Sequence, residues 1–422
     1  MDNNTENMVT TEVTETKVKK KKKGKIVLLI VLFTILALLL GVVGYAVYAV
    51  KFHTPDTGTD DPPPFATDDL FETEDTTSPP ETGTGTGTGT DTDTDTDTTP
   101  EETQRPEPPK EKQNVYNFLV VGQDRVALNT DVIMLINLNA TTHKINVLQI
   151  PRDTYIELST YSGKINGLYA HYFVRNGRNK KVALRMFADT LEQNLCIKIH
   201  NVLHINLDGV QQIVTALGGV DVNVVSPITL HYTDGTPVFL DIGLHHLDGY
   251  LAEQFIRHRS SYIQADIGRM DAQKIFMSAV IKKVQQNFNV STIADLAEIV
   301  FKNTTTDINL TDGIFYAKEL LNIKLEYINF MSMVGKGSMS NEDGTGLSLY
   351  IMVRKNMREM INSYFNIYDF TITDSIFDRN RVFTSTEKYP HINQHYINEN
   401  VNTKDPFSAD DINDSSIKIP HK

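Results

Sequence analysis

Cysteine is almost absent: Cys196 is the only one in 422 residues. No intramolecular disulfide can form, and no cysteine-based zinc or iron–sulfur site can be assembled. Cys196 follows Leu195 in apolar surroundings and reads as a small buried hydrophobe rather than a nucleophile. Histidine spacing gives no zinc site either. His171, His204, His245 and His246 include no His-x-x-x-His pair with a third ligand on one face. An excess of positive charge is also missing, since the formal net charge is -13. General nucleic-acid affinity is therefore not indicated.

What is present is unevenly placed. With 40% apolar and 9% aromatic residues, the chain is too apolar to be wholly disordered and long enough for one or two packed domains. Residues 1–25 carry seven lysines against four acids, whereas 54–113 carry seventeen acids against three bases. These segments contribute +3 and -14, so the remainder sums to only -2. The acidity thus belongs to a linker, and the folded part is free to gather cations locally.

Residues 26–50 carry no charge and begin IVLLIVLFTILALLL. At about 1.5 Å per residue they would cross a bilayer of about 30 Å, which predicts a transmembrane helix. Lys19 to Lys23 and Lys25 precede the run and Lys51 follows it. That bias puts the basic tail, 1–25, in the cytoplasm and everything after the run outside. A signal peptide is the rival, opposed by the length of the run and the lack of a small-residue cleavage site. The linker, 51–113, includes TGTGTGTGT and DTDTDTDT. Such a segment predicts a disordered, self-repelling tether with a reach of about 40 Å.

From Asn114 the pattern is that of a packed α/β domain. VYNFLVVG reads as a buried strand; DVIMLINLN and KINVLQI read as two more, joined in a hairpin across 140–143. KKVALRMFADTLEQNL has Val182, Met186, Phe187 and Leu191 at helical spacing. VLHINL and VDVNVV read as strands, with the helix DGVQQIVTALGG between them closed by glycines. Helices are expected over 245–255 and 266–286. Alternating strands and helices predict an α-β-α sandwich with a central mixed sheet over 114–290. The stretch 291–363 adds helical pattern and one strand candidate, YINFMSM, and the polar stretch 364–422 has no assignment.

Chemistry concentrates at one predicted sheet edge. A symmetric hairpin would set Asp131 opposite Pro151 and Arg152, and Asp124, just past the first strand, could return to the same rim. Two carboxylates there suit a hard divalent cation such as Mg²⁺, while turn and capping acids are the plain alternative. In FIRHRS, Arg257 and Arg259 would share one face of an extended segment. In ADIGRMDAQ, Asp266, Arg269 and Gln273 share one face of a helix. With Arg125, Arg152 and Lys164 these cations could hold a multiply charged anion such as a pyrophosphate. Surface salt bridges would account for the same residues.

The ordered set VGQDR, TDVIMLINL, IPRDTYIEL, KING, LGGVDVNV, HHLDGYLAEQFIRHR and DIGRMDAQ resembles the LytR-CpsA-Psr family over roughly 114–287. The resemblance implies a membrane-anchored extracellular phosphotransferase in the cell-wall zone. Such an enzyme moves a glycopolymer, a teichoic acid or capsule polysaccharide, from a polyprenyl-pyrophosphate carrier to a peptidoglycan hydroxyl, with Mg²⁺ or Mn²⁺. On that resemblance Asp124 and Asp131 match metal-associated acids, and Arg152, Arg257, Arg259 and Arg269 match the pyrophosphate-binding arginines. Asp131 and these four arginines form the expected catalytic set. Arg125, Lys164 and Gln273 are the expected substrate contacts. The family's apolar tunnel for the lipid tail would draw on positions such as Phe187, Leu191, Ile213 and Leu217, for which ordinary core packing is the favoured explanation.

Two positions depart from the family pattern: Asn129 stands where an arginine is usual, and Ala272 replaces a second arginine. Two other readings stay open. Water in place of the sugar hydroxyl would make a polyprenyl-pyrophosphate phosphatase. A non-catalytic glycolipid-binding or regulatory protein would use the same pocket without turnover.

Overall fold

The computed structural model describes residues 53–56, 110–123, 128–262, 265–289, 292–338, 349–379 and 407–408. The apolar run 26–50, the linker from 57 to 109, Asp124, Arg125 and the side chain of Asp266 lie outside the described residues. Among the described residues no helix is long and apolar enough to cross a membrane.

Three apolar runs open the domain as an antiparallel meander: Val115–Gln123 (β1), Thr130–Asn139 (β2) and Lys144–Gln149 (β3). The β2–β3 turn contains His143 in the left-handed region, φ 52°. A small hairpin follows, Tyr155–Glu157 (β4) with Ser162–Lys164 (β5), and then two helices, Leu168–Arg175 (α1) and Lys180–Leu195 (α2). Asn179 caps α2 by accepting from the Val182 amide, and Cys196 ends it in the left-handed conformation. The chain then returns as Asn201–Asn206 (β6), which lies parallel to β1.

Leu207–Ala216 (α3) ends at Gly218 and Gly219, with φ of 76° and 87°. A Cβ on Gly219 would collide with the His246 ring, so this turn requires glycine. Val220–Val224 (β7), Ile228–His231 (β8), Pro237–Leu240 (β9) and Gly243–Leu247 (β10) form two separate ribbons, β7 with β10 and β8 with β9. The helix expected over 245–255 therefore starts later. Residues 243–247 pair in register with 220–224, and Asp248 caps Gly249–Arg257 (α4) by accepting from the Leu251 amide at 2.8 Å.

Ala265–Asn287 (α5), Ile293–Asn303 (α6), Thr304–Thr306 (β11), Leu310–Asn322 (α7) and Ile328–Ser332 (β12) follow. The strand candidate YINFMSM is thus real, and β12 lies parallel to β3. Gly335–Ser338 (β13) pairs with Leu349–Met352 (β14), then come Arg354–Tyr364 (α8), Asp374–Arg379 (α9) and the two-residue Phe407–Ser408 (β15).

The central sheet is mixed, in the order β11-β6-β1-β2-β3-β12-β15. One face buries Leu119, Val121, Leu135 and Leu148 against α1, α2 and α8. The other buries Tyr116, Met134, Val147 and Phe330 against α3, α4, α5 and α7. Phe187 and Leu191 belong to the first core, whereas Leu217 and Ile213 sit in a separate cluster with Val284 and Leu296. These four positions therefore do not line one cavity, and their packing is that of ordinary core. Val182, counted with the apolar stripe of α2, is exposed; Ala183 and Leu184 are buried instead.

Four asparagines, three of them buried, cross the first face. Asn137 Nδ2 donates to Asn117 Oδ1 at 2.9 Å, Asn146 Nδ2 donates to Asn137 Oδ1 at 3.4 Å, and Asn329 Nδ2 donates to Asn146 Oδ1 at 2.9 Å. Asn117 and Asn146 also donate to the carbonyls of Phe365 and Tyr364. This ladder ties four strands to the chain that follows α8. That chain fills space with Phe365, Ile367, Tyr368, Ile372 and Phe377, all buried.

Candidate active site

The hairpin register builds the centre of the site. Asn139 pairs with Lys144 and Met134 with Gln149, so continuing the register brings Asp131 opposite Arg152. Arg152 Nη1 donates to Asp131 Oδ1 at 2.7 Å. The position is the rim where β1, β3 and β6 end and β2 begins, the kind of edge at which α/β sheets hold ligands. Thr130, fully buried, donates from Oγ1 to the Asn166 carbonyl at 3.3 Å and fixes the start of β2.

Two further guanidiniums face the same carboxylate oxygen. Arg269 Nη1 lies 3.8 Å and Arg259 Nη2 3.9 Å from Asp131 Oδ1. Arg269 comes from α5 with only 3% of its side chain exposed, and Arg259 comes from the turn after α4. These separations are ion-pair distances rather than hydrogen bonds, so among these three arginines Arg152 is the one hydrogen-bonded to Asp131. Burying a guanidinium is costly unless charge partners surround it. A second acid, Asp153, takes Lys164 Nζ at 2.9 Å and lies 3.8 Å from Arg152 Nε. Tyr161 donates to the Lys164 carbonyl and holds that loop. Among the described residues, Arg152, Lys164, Arg259 and Arg269 stand beside Asp131 and Asp153 at this rim. Cations grouped in this way suit an anion that carries more than one charge.

Arg257 departs from the expected geometry. The segment is not extended throughout, because α4 runs through Arg257 and the backbone becomes extended at His258, φ -61° and ψ 138°. Arg257 Nη1 instead donates to Glu253 Oε1 at 3.2 Å, one turn back on its own helix. Glu253 is fully buried and also accepts from Gln211 Nε2. The strand alternation that would have put both arginines on one face is therefore absent. Gln273 is likewise occupied inside the protein: its Oε1 accepts from Gln149 Nε2 at 2.6 Å and its Nε2 donates to the Ile256 carbonyl at 3.1 Å. It braces the end of β3 against the end of α4, directly behind the arginines.

Sequence reasoning passed over Asp153 and Glu253. The first had a visible signal, an acid beside Arg152 at a strand end. The second had one too, an acid four residues before Arg257 on a helix.

As to a metal, no group of three or more histidine, cysteine or acidic side chains is placed to hold one among the described residues. Asp131 offers a hard oxygen, which suits Mg²⁺ or Mn²⁺. One carboxylate beside three guanidiniums can hold such an ion only together with anionic substrate oxygens and water. Asp131 therefore fits a divalent cation that arrives with a phosphate ligand.

Comparison with known proteins bears on the family and the fold. The chain is 30% identical over 205 residues to a protein of Oceanobacillus iheyensis named polyisoprenyl-teichoic acid–peptidoglycan teichoic acid transferase TagU, covering 48% of this chain and 61% of that one. It is 25% identical over 237 residues to the Bacillus subtilis protein of the same description named TagV, covering 53% and 58%. The chain thus spans about three-fifths of the length of these curated relatives. A crystal structure of B. subtilis TagV superposes with a TM-score of 0.51 at 22% identity, over 60% of this chain and 96% of that one, and shares the fold. The model of the LytR_cpsA_psr family matches residues 82–366, about two thirds of the sequence. This match places the chain in the LytR-CpsA-Psr family.

Proposed function

We propose that this protein is a phosphotransferase that moves a glycopolymer of the teichoic-acid type from a polyprenyl-pyrophosphate carrier to a hydroxyl of peptidoglycan. The observation that carries the reading is the convergence of Arg152, Arg259 and Arg269 on Asp131, from three separate parts of the chain. In the reaction the acceptor oxygen forms a new bond to the sugar-bearing phosphorus. The bridging bond to the second phosphate breaks, and polyprenyl phosphate leaves. Charge grows on the transferred and departing phosphate oxygens, and guanidiniums already fixed around that position stabilise it without reorganising. Asp131 or Asp124 takes the proton of the acceptor hydroxyl. Asp153 holds Lys164 over the same rim, and Gln273 keeps the end of α4 in place.

A divalent metal, held by Asp131 with Asp124, would add charge neutralisation at the phosphate oxygens. The names of the curated relatives support a teichoic-acid-type polymer. The uncharged run 26–50 with its preceding lysines supports a single-pass anchor and an extracellular catalytic domain.

The test incubates the full chain in detergent with lipid-linked glycan, peptidoglycan oligomers and Mg²⁺. A phosphodiester-linked glycan–peptidoglycan product, lost on chelation and restored by Mg²⁺ or Mn²⁺, is expected. Free glycan phosphate alone would identify a hydrolase, and no turnover under any metal would leave a binding protein.

A further inference from the structure

Residues 53–56, which begin two residues beyond the apolar run, are seated on the domain, far from the arginine cluster in sequence. His53 Nε2 lies 2.6 Å from Asp312 Oδ1. Pro55 is buried, and its carbonyl accepts a hydrogen bond from Tyr116 OH at 3.3 Å. The seat is built for this contact. Asn309 caps α7 by accepting from the Asp312 amide at 2.9 Å and donates to Asp312 Oδ2 at 2.8 Å, which leaves Oδ1 aimed at His53. Tyr116, Phe315 and Tyr316 pack edge to face beneath it, with ring centroids 5.3 to 5.9 Å apart. Burial and the neighbouring Asp312, Glu319 and Asp56 push the Tyr116 hydroxyl up to about 12, so it stays a donor.

The far end of the acidic linker is also fixed to the domain. The Lys112 amide donates to the Ile367 carbonyl at 2.6 Å, and the Asp369 amide donates to the Lys110 carbonyl at 3.2 Å. Both described segments that flank 57–109 therefore sit on the domain. From Lys110 to Tyr116 the chain can extend at most about 21 Å.

We infer that residues 53–56 form a clasp that docks the foot of the apolar run onto the α7 and β1 surface, so that the domain is held beside the membrane with this face toward it. The membrane half of this inference rests on the anchor reading above; the clasp itself does not.

Two measurements on the full chain test it. Cys196 is buried, so introduced cysteines can be labelled selectively. In detergent, cysteines at Thr54 and Leu310, beside the contact pair, should be joined rapidly by a short bismaleimide. Adding His53→Ala and Tyr116→Phe should slow the joining at least about tenfold, as expected for loss of a charge-assisted hydrogen bond and the neighbouring hydrogen bond to the Pro55 carbonyl. Equal rates with and without these changes overturn the clasp. In lipid nanodiscs, a fluorophore at Leu310→Cys should be quenched by spin-labelled lipid headgroups far more than one at Val174→Cys on the opposite layer. Equal quenching of both sites in chains that float with vesicles overturns the held orientation. Failure to float overturns the anchor reading, and with it the membrane half of the inference.

Discussion

Replacing Arg269 with methionine separates a phosphate clamp from a structural ion pair. At 3.8 Å from Asp131, the attraction is about 4 kcal/mol at an effective dielectric of about 20. Against it stand the several kcal/mol needed to desolvate a guanidinium that is 97% covered and its repulsion from Arg152 and Arg259 across the same carboxylate. Asp131 keeps Arg152 and Arg259 in the variant, and methionine fills much of the volume. Stability should therefore change by no more than about 1–2 kcal/mol, or roughly 5 °C in Tm for a domain of this size. Transfer should suffer far more. Removing one preorganised charge aimed at a developing oxyanion costs about 2.7–4 kcal/mol, a fall of about 10²–10³ in turnover. Thermal melts and the peptidoglycan transfer assay measure the two quantities on one preparation. A variant that melts much lower yet retains transfer within about tenfold of the parent would refute the reasoning, since Arg269 would then be structural.

Three other predictions follow from named contacts. Arg257→Ala deprives the fully buried Glu253 of its cation and should cost about 1–3 kcal/mol in urea unfolding; Arg259→Ala should leave stability within about 1 kcal/mol while lowering transfer at least about a hundredfold. Equal stability of these two variants would contradict the division of labour between them. Asn137→Leu breaks the middle of the asparagine ladder and orphans its neighbours, at an expected cost of about 2–4 kcal/mol in the same unfolding experiment; a cost below about 1 kcal/mol would mean that the ladder is dispensable. Burial holds the His204 imidazole down from 6.5 to about 4. The unfolded chain therefore takes up the proton first, and stability is complete above pH 6.5 and falls as the pH drops toward 4. The loss is up to about 3 kcal/mol, and His204→Gln, which can still meet Gln123, should flatten that dependence. An unchanged slope in the variant would exclude His204 as its source.

The parts of the site that were legible in the sequence were those fixed by local periodicity. A hairpin with a short turn sets its own register, so the Asp131–Arg152 pair followed from counting outward from the turn. Arg269 and Gln273 share a helix face because four residues make about one turn, and both are buried where that face meets the sheet. The rest depended on tertiary pairing. In HHLDGYLAEQF a strand and a helix abut at Asp248, and only the pairing of β10 with β7 decides where one ends. The same boundary carried Arg257 into the helix and away from the extended face it was expected to share with Arg259. β11 is three threonines, too short and polar to announce a strand, and it is held by Asp307 accepting from the Val202 amide at 2.8 Å. The polar-looking stretch after Tyr364 hides five buried apolar residues at irregular spacing, which match no helical or strand period.

The central claim is that Arg152, Arg259 and Arg269 together hold a diphosphate. Calorimetric titration of the full chain in detergent with polyprenyl pyrophosphate measures it directly, beside the Arg152→Ala/Arg259→Ala/Arg269→Met triple variant. The account predicts salt-sensitive binding that weakens at least about a hundredfold in the variant. Equal affinity of the two proteins for the pyrophosphate lipid would contradict it.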